Sequence, residues 1–503
     1  MAAKREAELV LVNPGGRARI YQSLAESLTA VEPPVWAGLM ASFVRRHGHE
    51  VAIVDANAEG LSPEETAARV SELRPRLAAV VVYGHQPSAS TQVMPGASVA
   101  ATALKQAAPE LPVLLLGGHA AALPGRTLAE ERADFVAGGE GLYTLVDLLA
   151  ALATPHPELG KVRGLWYRED GRPRAAAPTP PLVDDLDRQM PGVAFDLLPM
   201  ERYRAHNWHC FGEPSRTPYA ALYTTLGCPY KCSFCCIQAP FKSGEAEAGY
   251  RASANSYRFW SPARVVEELA ALAERYGVRH VKIADEMFVL NARHVNAICD
   301  GIAERGLDLN IWAYARVDTV KESMVEKLAR AGVRWLAFGI EAASEKVRAD
   351  VDKGFDDDLV YRTLGRVRAA GIRVIGNYIF GLPEDDLESM RKTLDLALEL
   401  NCEFANFYCA MAYPGSALYE RALAERWPLP ASWSGYSQHS VDSLPLPTRH
   451  LPAAEVLRFR DEAFHAYFAS PRYLALAEAK FGADTVREIR EMASQRLERR
   501  NVA

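Results

Sequence analysis

Leu226-Gly227-Cys228-Pro229-Tyr230-Lys231-Cys232-Ser233-Phe234-Cys235 places three cysteines at C-x3-C-x2-C spacing. The stretch follows directly on an apolar run, Tyr219 to Leu226, that reads as a β-strand. Soft thiolates bind iron–sulfur clusters. Three thiolates on one short loop can hold three irons of a [4Fe-4S] cube, leaving the fourth iron without a protein ligand. An open coordination position is where a substrate or cosubstrate binds. The other readings are a structural zinc site and buried, unpaired thiols. Zinc usually takes four protein ligands in two separated pairs. Cys236 is the only further thiol nearby, and two adjacent cysteines rarely chelate one zinc.

Downstream, strand-like and helix-like runs alternate. The strands expected are Tyr219–Leu226, Arg279–Ile283, Asn310–Tyr314, Trp335–Phe338, Arg373–Phe380 and Phe404–Met411. Helices are expected at Pro262–Tyr276, Ala292–Arg305, Lys321–Ala331, Leu359–Ala370 and Leu387–Leu400, with Ser261 before Pro262 as a helix start. Six such units suit a partial (β/α)6 barrel, which carries its reactive groups at the C-terminal strand ends. Those ends hold Asp285-Glu286, Arg316, Glu341 with Ser344, Gly376 to Glu384, and Tyr413-Pro414-Gly415-Ser416.

The cysteine loop resembles that of the radical S-adenosylmethionine (SAM) enzymes, CxxxCxΦC, with Phe234 at the aromatic place. About 200 residues downstream resemble that core in motif order and spacing. The resemblance implies that Cys228, Cys232 and Cys235 ligate a [4Fe-4S] cluster and that SAM chelates the open iron. One electron then cleaves SAM to methionine and a 5′-deoxyadenosyl radical. It implies that Glu286 accepts from the SAM amino group, Arg316 pairs its carboxylate, and Glu341 or Ser344 holds ribose or amino groups. Phe234 covers the adenine and the segment from Gly376 receives its edge. Each charged residue can instead be an ion pair capping the barrel rim.

The first 150 residues also alternate. Strands are expected at Leu9–Val12, Glu50–Val54, Ala78–Tyr83, Val113–Leu116 and Asp134–Ala137, with helices between them, as in a parallel doubly wound sheet. Ligands of such sheets bind at the carboxyl ends of the strands. This region resembles the cobalamin-binding domain ahead of many radical SAM cores. The family signature is DxHxxG; here Asp55-Ala56-Asn57-Ala58-Glu59-Gly60 keeps Asp and Gly but has Asn57 where the cobalt-ligating His would stand. The resemblance implies a cobalamin pocket that includes Asn13, Asp55, Asn57, Ser88, Ser90, Gly117, Gly118 and Glu140, with no axial bond from residue 57. A vestigial domain stays open. His85 and His119 read as polar loop residues before cobalt ligands.

The chain has 503 residues, for which length suggests about three domains. The expected division is a Rossmann-like cobalamin-type domain at 1–154, a linker at 155–215, a radical SAM core at 216–420 and a helical domain at 421–503. In the linker, Gly164 to Arg174 reads as a hairpin turning at Glu169-Asp170-Gly171. Tyr203, His206, Trp208 and His209 read as a surface strap. Beyond the barrel, Trp427 to Ser443 is an aromatic loop that either closes over substrate or packs, and Arg487 to Arg500 reads as a solvated helix. Cys299, Cys402 and Cys409 read as small buried residues, with Cys409 as a cavity-facing hydrogen donor the lesser reading.

A net charge of −6 argues against nucleic acid as a partner. No apolar run reaches the ~18 residues of a membrane span, and residues 1–6 lack a signal-peptide core. The scattered remaining cysteines do not form a disulfide framework, so a cytoplasmic protein is expected. The function expected from the resemblance is cobalamin-dependent methyl transfer to an unactivated carbon of a small molecule, with an external one-electron reductant such as flavodoxin or ferredoxin. The alternatives are a radical SAM cyclase, dehydratase or oxidoreductase without methyl transfer, and a non-catalytic iron–sulfur or corrinoid-binding protein.

Overall fold

The computed structural model describes residues 7–84 and 86–502. Residues 1–6 and His85, both interpreted above, lie outside the described residues, as does the side chain of Ser88. The first sheet contains β1 Leu9–Asn13, β2 Val51–Asp55, β3 Leu77–Val81, β4 Val113–Leu116, β5 Phe135–Ala137, β6 Leu165–Glu169 and β7 Arg172–Ala175. Their order is β2-β1-β3-β4-β5-β6-β7. The first five strands are parallel, and β6 and β7 add antiparallel at the edge. The hairpin expected in the linker therefore forms, but as part of this sheet: Phe135, Val136 and Ala137 pair with Tyr167, Trp166 and Leu165.

Side chains alternate across a strand, so a sheet covered on both sides is apolar on both faces. In β1, Leu9 and Leu11 enter one buried cluster while Val10 and Val12 enter another. The second cluster lies under the helices Pro63–Glu72 and Met94–Ala107. The first runs without a break through the helix Val35–Arg46 into the second half of the molecule. The two halves thus share one core.

That second half is built on β8 Tyr219–Leu222, β9 Thr225–Leu226, β10 Arg258–Phe259, β11 His280–Ile283, β12 Asn310–Ala315, β13 Val333–Glu341, β14 Arg373–Phe380 and β15 Phe404–Cys409. Six of these form an all-parallel sheet, β15-β14-β13-β12-β11-β8, with helices between successive strands. This is the expected partial (β/α)6 barrel. The run Tyr219–Leu226 is not one strand: after Leu222 the chain leaves the barrel, and Thr225 and Leu226 pair antiparallel with Phe259 and Arg258.

The aromatic strap before the barrel is not on the surface. Tyr203, Trp208 and His209 are buried. Trp208 meets Trp312, Trp335 and Phe404 at ring distances of 5.2, 5.6 and 5.7 Å, and His209 bonds the Asn310 carbonyl at 3.0 Å. Asn310 and Phe404 open their strands, so the strap plugs the N-terminal end of the barrel. The C-terminal part forms three helices, Ala453–Phe468, Pro471–Phe481 and Ala483–Ser494. The last ends earlier than expected, and Arg499 is buried against Asp461 at 2.9 Å, not solvated. Among the described residues no helix is long and apolar enough to cross a membrane.

Two buried ion pairs fix the first sheet to the barrel. Glu140, after β5, pairs with Arg258 of β10 at 2.8 Å, each side chain 7% exposed. Glu32 pairs with Lys282 of β11 at 2.9 Å, each 3% exposed, and also accepts from the Tyr219 hydroxyl. Removing one partner of such a pair strands the other charge and costs about 3–5 kcal/mol, whereas replacing both with apolar residues is often neutral. Glu140→Gln is therefore expected to unfold at clearly lower denaturant concentration than the parent, and the double variant Glu140→Leu/Arg258→Met to regain most of the loss.

Candidate functional site

The cysteine loop leaves β9 through Gly227, whose φ of +87° suits glycine and where a Cβ would collide with the Ser256 carbonyl. A loop has no ladder to satisfy its backbone, so side chains do it. Gln238 accepts from the Cys228 amide at 3.1 Å and is itself held by Glu245 and Ser256. Asn255 donates to the Cys228 and Tyr230 carbonyls at 2.9 and 2.8 Å. Ser233 bonds the backbone of Val351 and Leu418, tying the far side to two other segments. Phe234 packs on Ala342, Val347, Leu382 and Ala410.

The three thiols are half-buried and unpaired as disulfides. Burial pushes Cys228 up to about 12 and raises Cys235 well above the usual thiol range, with neighbouring sulfurs adding to the latter. Such thiols deprotonate when a metal replaces the proton. Among the described residues no three His, Cys, Asp or Glu side chains are gathered closely enough to hold a single ion. The cluster reading needs no such group, because each thiolate of a cube binds a different iron.

At the barrel rim, Asp285 and Glu286 have opposite fates. Asp285 accepts from the backbone and hydroxyl of Thr224 at 2.6 and 2.5 Å and of Thr225 at 3.1 and 2.9 Å. It therefore clamps the chain as it leaves the barrel towards the cysteines. Sequence reasoning missed this role, although two adjacent threonines after a strand were a signal. Glu286 has a buried Oε2 with no hydrogen-bond partner, and burial pushes its carboxyl up to about 8. Such an oxygen is suited to receiving a donor from a bound molecule.

Arg316 is held by Asp318 through two 3.0 Å bonds, lies 4.1 Å over the Tyr230 ring, and points Nη1 at the Cys232 sulfur at 3.7 Å. Glu341 ends β13 with φ +60° and is buried against the ammonium of Lys353. Ser344 starts the helix Glu345–Asp350, where its hydroxyl accepts from Val347. The space over Gly376 is taken: a Cβ there would lie 2.6 Å from the Tyr378 hydroxyl, so this position can offer a ligand only its backbone. Asn377 and Ile379, on the other face of β14, are half-buried instead.

In the first domain, Asp55 is fully buried and accepts from Asn13 Nδ2 at 2.7 Å, the Tyr203 hydroxyl at 2.8 Å and the Ala58 amide at 3.0 Å. Its role here is to cap the helix Ala56–Glu59, on which Asn57 is half-buried. Ser90 is buried and its hydroxyl accepts from the Gly84 amide at 3.2 Å. Gly117, at φ +132°, lets the chain pass the Val82 carbonyl, and Gly118 opens the short helix Gly118–Ala122. Glu140 belongs to the ion pair with Arg258 and does not stand free in a pocket. His119 is buried, bonded through Nδ1 to Thr91 and set edge-on to Trp433 at 4.4 Å. Burial and Arg126 lower it to about 3, so it is neutral.

The aromatic loop after the barrel packs on both halves. Gln22 donates to the His439 carbonyl at 2.6 Å, while Gln438 brackets the Cys409 backbone with two 2.9 Å bonds. Cys409 itself is buried, its sulfur 4.0 Å from the Val456 carbonyl. Between the sheets lies a cleft lined by Asn13, Trp36, Tyr83 and Gly84 from the first and by Tyr223 and Ala284 from the barrel. Trp36 stacks on Tyr83 at 4.4 Å. The Tyr83 hydroxyl, like Glu286 Oε2, is buried without a partner. Asn13 and Gly84 on one side and Ala284 on the other place this cleft at the carboxyl ends of both sets of strands, where ligands of such sheets bind.

Two family models match: the radical SAM superfamily over residues 222–397 and the B12 binding domain over residues 21–149. An uncharacterized methyltransferase of Pyrococcus horikoshii is 29% identical over 443 residues, covering 88% of this chain and 89% of that one. Anaerobic magnesium-protoporphyrin IX monomethyl ester cyclase of Rubrivivax gelatinosus is 23% identical over 406 residues, covering 80% and 68%. The radical SAM methyltransferase TsrM of Kitasatospora setae, solved with cobalamin and a [4Fe-4S] cluster, shares the fold at TM-score 0.67 and 16% identity, over 97% of this chain and 100% of that one.

Glu286 offers a direct check of the buried carboxyl at the barrel rim. Its folded carboxyl, near 8, lies above the ordinary 4.5. Between those values the folded protein holds a proton that the unfolded chain has lost, so stability falls as pH rises through that window. Glu286→Gln is expected to flatten this part of the profile of unfolding midpoint against pH.

Proposed function

We propose, for a chain that belongs to the radical SAM enzymes with an N-terminal B12-binding domain, a cobalamin-dependent methyltransferase acting on an unactivated carbon of a small molecule. The family's cofactors are a [4Fe-4S] cluster, SAM and cobalamin. The observations that carry the reading are the cysteine loop after the first barrel strand and a cleft lined by the strand ends of both the barrel and the B12-type domain. When bound, the cluster with SAM supplies a 5′-deoxyadenosyl radical and cobalamin supplies the methyl group.

In this reading Cys228, Cys232 and Cys235 hold the cluster, and Gln238 and Asn255 keep their loop in shape. Glu286 takes a donor from SAM with its unpaired oxygen. Arg316, already oriented by Asp318, presents its charge on the Cys232 side, where a carboxylate of SAM can pair with it. Phe234 keeps water from the adenine. On the cobalamin side Asn57, on the helix Ala56–Glu59, would offer a bound corrinoid an amide where the family signature has an imidazole. The closely facing strand ends keep the distance for methyl transfer short. A reducing compartment suits such a cluster, and we place the protein in the cytoplasm, served by a one-electron donor such as flavodoxin or ferredoxin.

Anaerobic purification with added cobalamin, followed by metal analysis, tests this reading. About four irons and one cobalt per chain are expected, with SAM converted to 5′-deoxyadenosine. Iron without cobalt would favour a radical reaction lacking methyl transfer, the chemistry class of a cyclase. Cys228→Ala is expected to abolish cluster absorbance and SAM cleavage together while retaining cobalt; cleavage surviving in that variant would overturn the assignment.

A further inference from the structure

Lys353 is absent from the residues that the cysteine motif points to, yet the fold buries its side chain beside them. It lies just after the helix Glu345–Asp350 and is 6% exposed. Its ammonium bonds the Glu341 carboxylate and lies 6.0 Å from the centre of the Phe234 ring. A Cβ on Gly339 would be 2.5 Å from that nitrogen, so the glycine leaves room for the lysine to cross β13 at the barrel mouth. Burial lowers the Lys353 ammonium to about 8, while ionised Cys232 and Cys235 thiols favour its charged form and Arg316 opposes it. Burying an ammonium is expensive unless it is paired. Glu341 provides that pairing from a left-handed backbone conformation, an uncommon one for a side chain of this kind.

We infer that Lys353 is a positioning residue for the cluster's charge: anchored by Glu341, it presents a fixed cation to the Cys232 and Cys235 side of the loop and favours the reduced cluster. The inference rests on the reading of the three cysteines as cluster ligands. Reduction adds one negative charge to a cluster already ligated by thiolates, and nearby charge is one of the levers that set its potential. A cation at the rim therefore raises the midpoint potential, and Glu341 offsets part of the effect. Arg316, with Nη1 3.7 Å from the Cys232 sulfur, is a second cation on that side, so the Lys353 variants read the lysine's own share.

The test is a redox titration of the full-length protein, reconstituted anaerobically with iron and sulfide and studied without SAM, followed by the electron paramagnetic resonance of the reduced cluster. Lys353→Met is expected to lower the midpoint so that about tenfold less cluster is reduced at a fixed potential, about 59 mV for a one-electron couple. Lys353→Arg is expected to restore it. Glu341→Gln is expected to shift it the other way, a sign reversal that lost packing alone would not produce. A cluster-loaded Lys353→Met protein with an unchanged midpoint would overturn the inference. If that variant does not load a cluster, Glu341→Gln decides: an upward shift supports the inference and no shift or a downward one overturns it. A parent protein that takes up no cluster would instead refute the ligand assignment itself.

Discussion

The pairing of Glu140 with Arg258, buried between the two halves, is the contact on which the site's geometry depends. Glu140 follows the last parallel strand of the first sheet, and Arg258 belongs to the short ribbon that leads from the cysteine loop. Their bond therefore links the carboxyl end of one sheet to the loop that starts the other's chemistry. Glu32 with Lys282 repeats the device inside the barrel, and Tyr203 reaches from the linker to Asp55. Buried charges of this kind add little net stability. What they impose is orientation: apolar faces alone tolerate sliding, whereas a buried charge tolerates only the arrangement that meets its partner.

Given that orientation, the cleft follows. Trp36, stacked on Tyr83 of the first domain, meets Tyr223 at the end of β8, and the Tyr83 hydroxyl stays unpaired there. Around the cysteine loop the protein uses another principle. The loop is held by side-chain-to-backbone bonds from Gln238 and Asn255, and its electrostatics are set by two carboxylate-anchored cations, Arg316 with Asp318 and Lys353 with Glu341. Each carboxylate fixes its cation and tempers it. The arrangement holds positive charge close to half-buried thiols without leaving an uncompensated charge in the core.

Most of the architecture was legible in the sequence because burial on both faces leaves a continuous apolar strand between amphipathic helices, a local signal that needs no partner to be recognised. The boundaries of β4, β14 and the helices Pro262–Tyr276 and Leu387–Leu400 agree with that reading. The errors occurred where a segment's environment is set from afar. Tyr203, Trp208 and His209 look like any polar–aromatic linker until the open end of the barrel is seen to receive them. Arg499 looks solvated until Asp461 is placed beside it. Glu140, grouped with the loops of a ligand pocket, is claimed by an arginine more than a hundred positions away.

The sequence by itself determined the two α/β units, their order and the spacing of the three cysteines, because spacing and periodicity are properties of contiguous residues. Only the tertiary structure decided which rim residues are spent and which remain free. Asp285 and Glu286 are adjacent and chemically alike, yet one is saturated by two threonines and the other keeps an unpaired oxygen. Lys353 carries no motif and comes near Phe234 of the cysteine loop only when the turn after the helix Glu345–Asp350 sets its ammonium against Glu341 of β13. Hydrogen-bond saturation and buried charge depend on what the fold brings together, and that information is not contained in any single stretch of chain.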